Sequence, residues 1–363
     1  MNKRNFKMTI LSAGILAVSL FFGACSGSGN KGNTSSDAAV QTLIGAGSSF
    51  DYPLFSKMFS AYHQNTGIQV NYQSVGSGAG ISQLTHKTVD FGASDAPMNA
   101  EQEQAAGGRV LHIPVTAGAV VISYNLPEVK DTLKFTPSIL AGIFLGKITK
   151  WNDPQIAAAN PGITLPATHI VIAHRSDGSG TTNIFTDYLS KISEDWKSKV
   201  GAGTAVNWPV GLGGKGNEGV SGLIRQTPGA LGYIELAYAI QNNMPYAKLQ
   251  NKAGHFITPS IESVTAAANI EIPANGKISL TNTESATGYP ISGFSWVLIY
   301  QEQKYKDNSQ AKAEQLLKLL NWMIHDGQQF SADLDYAPLS PAAVKTGETL
   351  LKSATFNGAA ILK

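Results

Sequence analysis

The sequence predicts an α/β fold with two lobes, and three observations support this. In the first part of the chain, short apolar runs alternate with amphipathic segments, as in sheets flanked by helices; the runs cover 41–45, 68–73, 89–93 and 109–113. Turns rich in glycine and serine separate several runs from the next amphipathic segment. Two long apolar strands, 118–124 and 294–300, bracket the middle section, which indicates that the chain leaves one lobe and later returns. We therefore expect a ligand between the lobes, at the carboxyl ends of strands.

The other elements follow from local patterns in chain order. Pro53 suits the first turn of a helix, and apolar residues at helical spacing follow it. Helices are also predicted at 137–145, 181–192 and 311–325, the last with a leucine-rich face. Residues 248–257 indicate a hairpin around a glycine.

The N-terminus predicts a secretion signal followed by a lipid anchor. Residues 1–24 carry three basic side chains and no acidic one, then a short apolar stretch closed by small residues. Cys25 is the only cysteine of the chain, so no internal disulfide is possible, and its position resembles the lipobox of bacterial lipoproteins. The alternative is an incidental cysteine in a cleaved signal. Residues 25–39 are predicted to be the lipidated cysteine and a flexible tether.

Composition excludes several functions. The chain has 27 Lys and Arg against 25 Asp and Glu, and removal of the three basic residues of the signal leaves 24 against 25. No long basic run is present, which argues against a nucleic-acid partner. The seven histidines are scattered, so we expect no metal site and no cofactor.

The segment 175–181 has the composition of an anion site. A short apolar strand, 169–173, precedes it and a predicted helix follows, so the turn places backbone N–H groups at a helix start. Ser179 and Thr181 add hydroxyls, and Arg175 adds a guanidinium. The helix dipole favours negative charge at the same point.

Similar segments occur nearer the N-terminus. Residues 45–50 and 76–80 each lie between a strand candidate and a helix, and Asp95 follows the strand candidate 89–93. A single turn of this kind is weak evidence, but several in one chain favour a shared ligand site.

Together these motifs resemble the phosphate-binding proteins of phosphate-specific ABC importers, in order over nearly all of 41–340. The segments that carry the resemblance are 45–50, 89–97, 145–151, 175–181 and 211–217. It implies a type II periplasmic-binding-protein fold with two lobes, each a mixed sheet flanked by helices, joined by two hinge crossings. The predicted division places lobe I in 40–122 and 290–363, and lobe II in 123–289.

The resemblance also implies a phosphate site, residue by residue. The implied ligands are Ser49, Phe50, Ser77, Asp95, Arg175, Ser179, Gly180 and Thr181, with Asp177 bracing the arginine. Ser49 stands where the family has threonine, which keeps the hydroxyl. Gly78 and Ala79 stand where the family often has serine and glycine, which leaves the hydroxyl before them intact. For Asp177 the alternative is a surface ion pair, and for Asp95 it is a helix cap.

Asp95 is the predicted selectivity filter. At neutral pH phosphate carries a proton and sulfate carries none, so a buried carboxylate can accept a hydrogen bond from phosphate only. Leaving such groups unpaired costs about 1–3 kcal/mol per neutral group and more when charged.

We therefore predict an extracytoplasmic, membrane-anchored protein that captures inorganic phosphate between its lobes and delivers it to an ABC permease. It is expected to be a monomer and not an enzyme.

The alternatives are a binding protein for another oxyanion, such as phosphonate or sulfate, and a serine-dependent phosphate-ester hydrolase using Ser179 and His174. The hydrolase is disfavoured because the turn is not Gly-x-Ser-x-Gly and because His174 and Arg175 point to opposite faces of their strand. Residues 211–217 mimic a nucleotide P-loop, but glycine follows Lys215 where Ser or Thr is required, so a structural or lobe-closing loop is predicted.

Overall fold

The computed structural model describes residues 41–362, which belong to one compact unit. The strands are β1 (Thr42–Gly47), β2 (Gln69–Ser74), β3 (Phe91–Ser94), β4 (Val110–Tyr124), β5 (Lys134–Phe135), β6 (Val171–Arg175), β7 (Leu212–Gly214), β8 (Ala230–Glu235), β9 (Lys248–Gln250), β10 (Phe256–Ile257), β11 (Ser292–Tyr300), β12 (Thr355–Phe356) and β13 (Ala359–Ala360). The helices are α1 (Tyr52–Thr66), α2 (Ser77–Thr85), α3 (Ala100–Ala106), α4 (Pro137–Phe144), α5 (Pro154–Ala159), α6 (Gly180–Ile192), α7 (Glu194–Lys199), α8 (Gly216–Gln226), α9 (Leu236–Gln241), α10 (Ile261–Ala268), α11 (Gln310–Ile324) and α12 (Pro341–Lys352). Short 3₁₀ turns lie at Asp326–Phe330 and Ala332–Leu334.

The main sheet has eight strands in the order β2-β1-β3-β11-β4-β8-β6-β7. At one end β1 pairs in parallel with β2 and β3, and at the other end β6 pairs in parallel with β7 and β8. The two central strands, β11 and β4, run antiparallel to their neighbours. The sheet is therefore mixed, as the predicted fold requires.

The long strand β4 joins the two ends of the sheet. Its residues 110–119 pair with β11 and its residues 120–124 pair with β8. The sequence suggested two separate strands in this stretch, but the structure has one continuous, fully buried strand of 15 residues. The register with β11 shifts between Pro114 and Thr116, so the proline, which has no N–H, lies beside an irregularity that a strand can accommodate.

Parallel pairing brings strand ends together at the two places where the predicted site segments lie. β1, β2 and β3 end at Gly47, Ser74 and Ser94, while β6 and β7 end at Arg175 and Gly214. Close packing of the first group depends on glycine, because a Cβ on Gly47, whose φ is +151°, would lie 2.0 Å from the carbonyl oxygen of Ala93. The carboxyl ends of both sets of strands therefore carry the loops discussed next.

The predicted lobe boundaries and the predicted lipid anchor both stay predictions. The lobe boundaries divide a unit that is continuous through the sheet, and Cys25, like the rest of the signal and tether, lies outside the described residues. Within 41–362, no helix combines the length and apolar character needed to cross a membrane.

Candidate anion-binding site

Four helices begin at the same place. α1, α2, α6 and α8 start after Asp51, Gly76, Ser179 and Lys215. The backbone N–H of Gly180, at the start of α6, donates to Ser77 Oγ of α2 at 3.0 Å. The backbone N–H of Asn217, in α8, donates to Ser49 Oγ, just before α1, at 3.1 Å. Because each helix start carries partial positive charge, their meeting point suits an anion.

The hydroxyls at this meeting point are left as donors. Ser49 Oγ accepts from both nitrogens of Asn217, at 3.1 and 3.0 Å. Ser77 Oγ accepts from the N–H groups of Asp95 and Gly180, at 3.3 and 3.0 Å. A hydroxyl has two acceptor positions and one proton, so these contacts leave each proton to be donated elsewhere.

Ser179 and Thr181 follow the same pattern on the opposite side. Ser179 Oγ caps α6 by accepting from Thr182 N at 3.0 Å. Thr181 Oγ1 accepts from the side-chain amide of Asn217 at 3.1 Å and lies 3.5 Å from an Arg175 nitrogen. Among the described residues, none of these four hydroxyls donates to a protein acceptor within hydrogen-bond distance, so the site presents a set of O–H donors.

Arg175 and Asp177 form a buried two-point pair. The Nε and one terminal nitrogen of Arg175 donate to the two carboxylate oxygens of Asp177 at 2.8 and 2.6 Å. The side chains are 2% and 14% exposed, which excludes the surface ion pair that the sequence left open. Burial acts to raise the pKa of Asp177, but the hydrogen bonds and charge of Arg175, with the N–H of Gly216, outweigh it and hold that pKa below its usual value. The guanidinium is thereby fixed in orientation, and its other terminal nitrogen, Nη1, lies 3.5 Å from Thr181 Oγ1.

Asp95 is 2% exposed and lies among hydroxyls. Its carboxylate accepts from Ser48 Oγ at 2.7 Å and contacts Ser295 Oγ at 2.8 Å. Burial raises its pKa to about 6, although Ser48, Ser295, the charge of Arg175 and Ser77 all act to lower it. Asp95 does not cap a helix, since the next helix, α3, is capped by Asn99. The alternative role as a helix cap is therefore wrong.

Gly180 explains how the two sides come so close. A Cβ on this residue would lie 2.5 Å from Asp95 Oδ2 and 2.6 Å from Asp95 N. The backbone N–H of Gly78 also donates across the same junction to Gly178 O at 2.9 Å. Backbone to backbone approach of this kind requires residues without side chains.

Phe50 is near the site, but its backbone is used locally. Its N–H donates to Ser48 Oγ at 2.9 Å, and its carbonyl accepts from Tyr336 OH at 2.6 Å. Its ring is fully buried and meets the Tyr336 ring edge-on at 6.3 Å. The structure thus places Phe50 beside the anion site, and its direct ligand contact stays a prediction.

Sequence reasoning missed four residues of the site: Ser48, Asp51, Asn217 and Ser295. Asn217 is the most connected, because its amide bridges the two sides while its Oδ1 accepts from Glu235 N at 3.0 Å. The sequence signal for Asn217 is its place in the glycine-rich segment 211–217, which is predicted to be a structural or lobe-closing loop. For Ser295 the only signal was a lone hydroxyl in an apolar strand.

The geometry gives no support to a hydrolase. The His174 ring stacks on Trp208 at 4.9 Å, and its Nδ1 lies 3.0 Å from the carbonyl oxygen of Arg175. His174 is therefore not positioned as a base for Ser179, whose oxygen caps α6. Within residues 41–362, no cluster of His, Cys, Asp and Glu side chains could hold a metal ion.

Comparison with known proteins places the chain in a superfamily of binding proteins. A family model described as a PBP superfamily domain matches residues 32–326. The X-ray structure of a phosphate binding protein from Stenotrophomonas maltophilia has the same fold, with a TM-score of 0.66, 18% identity, and coverage of 88% of this chain and 96% of that one.

Two relatives narrow the class. The chain is 46% identical to phosphate-binding protein PstS of Haemophilus influenzae over 313 residues, covering 85% of this chain and 92% of the relative. It is 36% identical to phosphate-binding protein PstS of Methanocaldococcus jannaschii, covering 88% of both. The chain belongs to the PstS phosphate-binding protein family. The predicted family and α/β fold are confirmed, and the relatives are named as binding proteins rather than enzymes, in agreement with the prediction.

Proposed function

We propose that this protein captures inorganic phosphate outside the cytoplasm and delivers it to the permease of an ABC importer. The observation that carries the proposal is a buried carboxylate, Asp95, set among hydroxyl and N–H donors. The names of the relatives support the same ligand. We further propose that the predicted lobes, 40–122 with 290–363 and 123–289, form the two sides of the site.

Phosphate would be held mainly by neutral donors. Arg175 contributes the N–H groups that do not bind Asp177, and the hydroxyls of Ser49, Ser77, Ser179 and Thr181 contribute one proton each. The partial positive charge at the four helix starts adds to the attraction. Such a donor set fits any tetrahedral oxyanion, so it does not by itself separate phosphate from sulfate.

Asp95 supplies the distinction. It can accept the proton that phosphate carries, whereas every oxygen of sulfate is an acceptor and would face a carboxylate oxygen. Because the carboxylate is buried, water cannot relieve that clash. Phosphonates that keep an acidic O–H satisfy the same rule, and they remain the alternative ligand class.

Release to the permease would require the two sides to separate. At the site, the contacts that cross between them include backbone and hydroxyl hydrogen bonds: Gly78 N to Gly178 O, Gly180 N to Ser77 Oγ, and Asn217 to Ser49. Each is a neutral bond worth about 0.5–1.5 kcal/mol net, so these contacts at the site can separate at modest cost. Away from the site, the ion pair between Lys277 and Glu103 also joins the two predicted lobes.

We also propose that the mature protein is a monomer tethered to a membrane through lipid on Cys25. The support is the lone cysteine after an apolar segment, followed by a serine- and glycine-rich stretch. A Cys25→Ala variant should appear in the soluble fraction of cells instead of the membrane fraction. Persistence in the membrane fraction would contradict the lipid anchor.

Titration calorimetry with a panel of anions tests the ligand. Phosphate should bind and sulfate should not. Methylphosphonate, in which a methyl group replaces one oxygen of phosphate, should show whether the site requires all four oxygens. A chromogenic phosphate ester should remain uncleaved. Indifference of the folded protein to phosphate, or cleavage of the ester, would refute the proposal.

A further inference from the structure

A single hydroxyl lies between two buried carboxyl groups. Ser295 Oγ is 2.6 Å from Asp51 Oδ2 and 2.8 Å from Asp95 Oδ1. The three side chains are buried, with Asp51 and Ser295 0% exposed. A hydroxyl has one proton and can donate to only one carboxylate. Two hydrogen bonds at these distances therefore need a second proton, carried by one of the carboxyl groups.

The surroundings of the two carboxyl groups are unequal. Asp95 accepts from Ser48 Oγ at 2.7 Å, and the charge of Arg175 stabilises its ionised form. Among residues 41–362, no cation of this kind acts on Asp51. Its other contact is Tyr72 OH at 3.4 Å, but that hydroxyl donates to the carbonyl of Ser48 at 2.7 Å. The proton is therefore more stable on Asp51.

Resting on the proposed phosphate site, we infer that Asp51 and Asp95 share one proton through Ser295, that Asp51 carries it, and that this arrangement keeps Asp95 ionised as the acceptor for phosphate. The chain of hydrogen bonds runs from the Asp51 carboxyl to Ser295 Oγ and from the Ser295 hydroxyl to Asp95. Asp51 is thus a positioning residue: it acts on the ligand through Asp95.

The electrostatics agree with this direction. Burial and then the negative charge of Asp95 raise the pKa of Asp51 well above its usual value, against the hydrogen bonds from Ser295, its own backbone and Tyr72. The ionisable groups that act on this pair from the surrounding elements are Tyr72, Arg175, Tyr238 and Tyr336. The pKa values of the three tyrosines are raised, so their phenols stay neutral at pH 7. Arg175 is the one charged group among these four, and its charge acts on Asp95.

The opposite assignment has a different consequence for selectivity. With the proton on Asp95, the site would offer an O–H donor to the anion, and sulfate would be accepted. With the proton on Asp51, the site offers only acceptor oxygens at this position. Which carboxyl group carries the proton therefore determines whether the site accepts or rejects sulfate.

Carbon NMR of the aspartate side-chain carboxyl groups tests the assignment in the ligand-free protein. Signals are assigned by their loss in Asp51→Asn and Asp95→Asn, and their shifts are followed from pH 5 to 9. At pH 7 the Asp51 carboxyl should be protonated and the Asp95 carboxyl ionised. An ionised Asp51 at pH 7, or a protonated Asp95, overturns the inference. This readout does not depend on phosphate, so it can fail while the proposed function stands.

Calorimetry of variants provides the functional test. An amide N–H of asparagine replaces the O–H of a protonated carboxyl as donor to Ser295, so Asp51→Asn should bind phosphate within about threefold of wild type and still reject sulfate. Asp51→Ala, which offers no donor, should lose more affinity, about tenfold. Asp90→Asn is the matched control, since Asp90 lies at the opposite end of β3 and pairs with Lys312 at 2.7 Å. A correctly folded Asp51→Asn with a loss above thirtyfold would show that the negative charge is needed, which contradicts the inference.

Discussion

Replacing Asp95 with asparagine is the sharpest test of how the site separates anions. The change removes one negative charge and keeps the size of the side chain. Asp95 is 2% exposed, so solvent does little to screen its charge from a neighbouring anion. Its two oxygens are already fixed by Ser48 and Ser295, at 2.7 and 2.8 Å, which limits the freedom of the side chain to turn away.

The change should have opposite effects on the two anions. Phosphate loses a charged acceptor for its proton, which costs about 1.5–3 kcal/mol, or roughly a tenfold to hundredfold loss of affinity. Sulfate is relieved of its repulsion from the carboxylate, about 4 kcal/mol for each unit of its charge at about 4 Å and an effective dielectric constant near 20. For phosphate, in contrast, the hydrogen bond to Asp95 offsets that repulsion in the wild type. The ratio of the two affinities should therefore fall by roughly a thousandfold or more.

Titration calorimetry of the wild type and the variant, with each anion in turn at fixed ionic strength, measures that ratio. Circular dichroism and the melting temperature show that the variant is folded. The reasoning is refuted if folded Asp95→Asn still gives no heat with sulfate at millimolar concentration while its phosphate affinity is unchanged. In that case another feature of the site rejects sulfate.

Three further changes test other parts of the site. Asn217→Ala should weaken phosphate binding about tenfold, because it frees the two hydroxyls that the amide orients, whereas Asn321→Ala on the exposed face of α11 should not change the calorimetric affinity. Gly180→Ala should abolish measurable binding, since its Cβ would lie 2.5 Å from Asp95, while Gly222→Ala, with no atom within 4 Å, should bind normally. The pKa of Asp95 is about 6 in the folded protein and 3.8 in the unfolded chain. Protonated Asp95 therefore stabilises the folded state fully below pH 3.8, and this contribution is lost as the pH rises through 6. Urea unfolding should show ligand-free wild type losing up to about 3 kcal/mol relative to Asp95→Asn between pH 4 and 7.5; equal slopes for both would contradict this assignment.

The sequence was informative where the site is built from local segments. Residues 45–50, 76–80 and 175–181 each combine a strand end, a turn and a helix start within a few residues, so their geometry follows from short-range patterns. Parallel strand ends lie at one edge of a sheet, and this made it possible to predict that the segments meet. The resemblance to a known family then gave each residue a role.

Two of the missed residues, Ser295 and Asn217, reach the site through long-range strand pairing. Ser295 comes from β11, where the register that opposes Trp296 to Ser94 brings the serine beside Asp95. The register with β4 shifts next to this serine, and nothing in the apolar sequence of β11 indicates where that shift falls. Asn217 depends likewise on the pairing of β7 with β6. Such contacts require the register of the whole sheet, which local patterns do not determine.

The charges of the site explain why composition was silent about its ligand. Arg175 is cancelled by Asp177, and Asp95 adds a negative charge, so formal charges alone disfavour an anion. Four helix starts meet there, each equivalent to roughly half a positive charge, and together they contribute about two positive charges within their first turns. The attraction for phosphate thus comes from oriented backbone dipoles and hydroxyl protons. A count of lysines and arginines does not include these contributions. The carboxylate of Asp95 weakens the attraction, but it is the group that can accept the proton of phosphate.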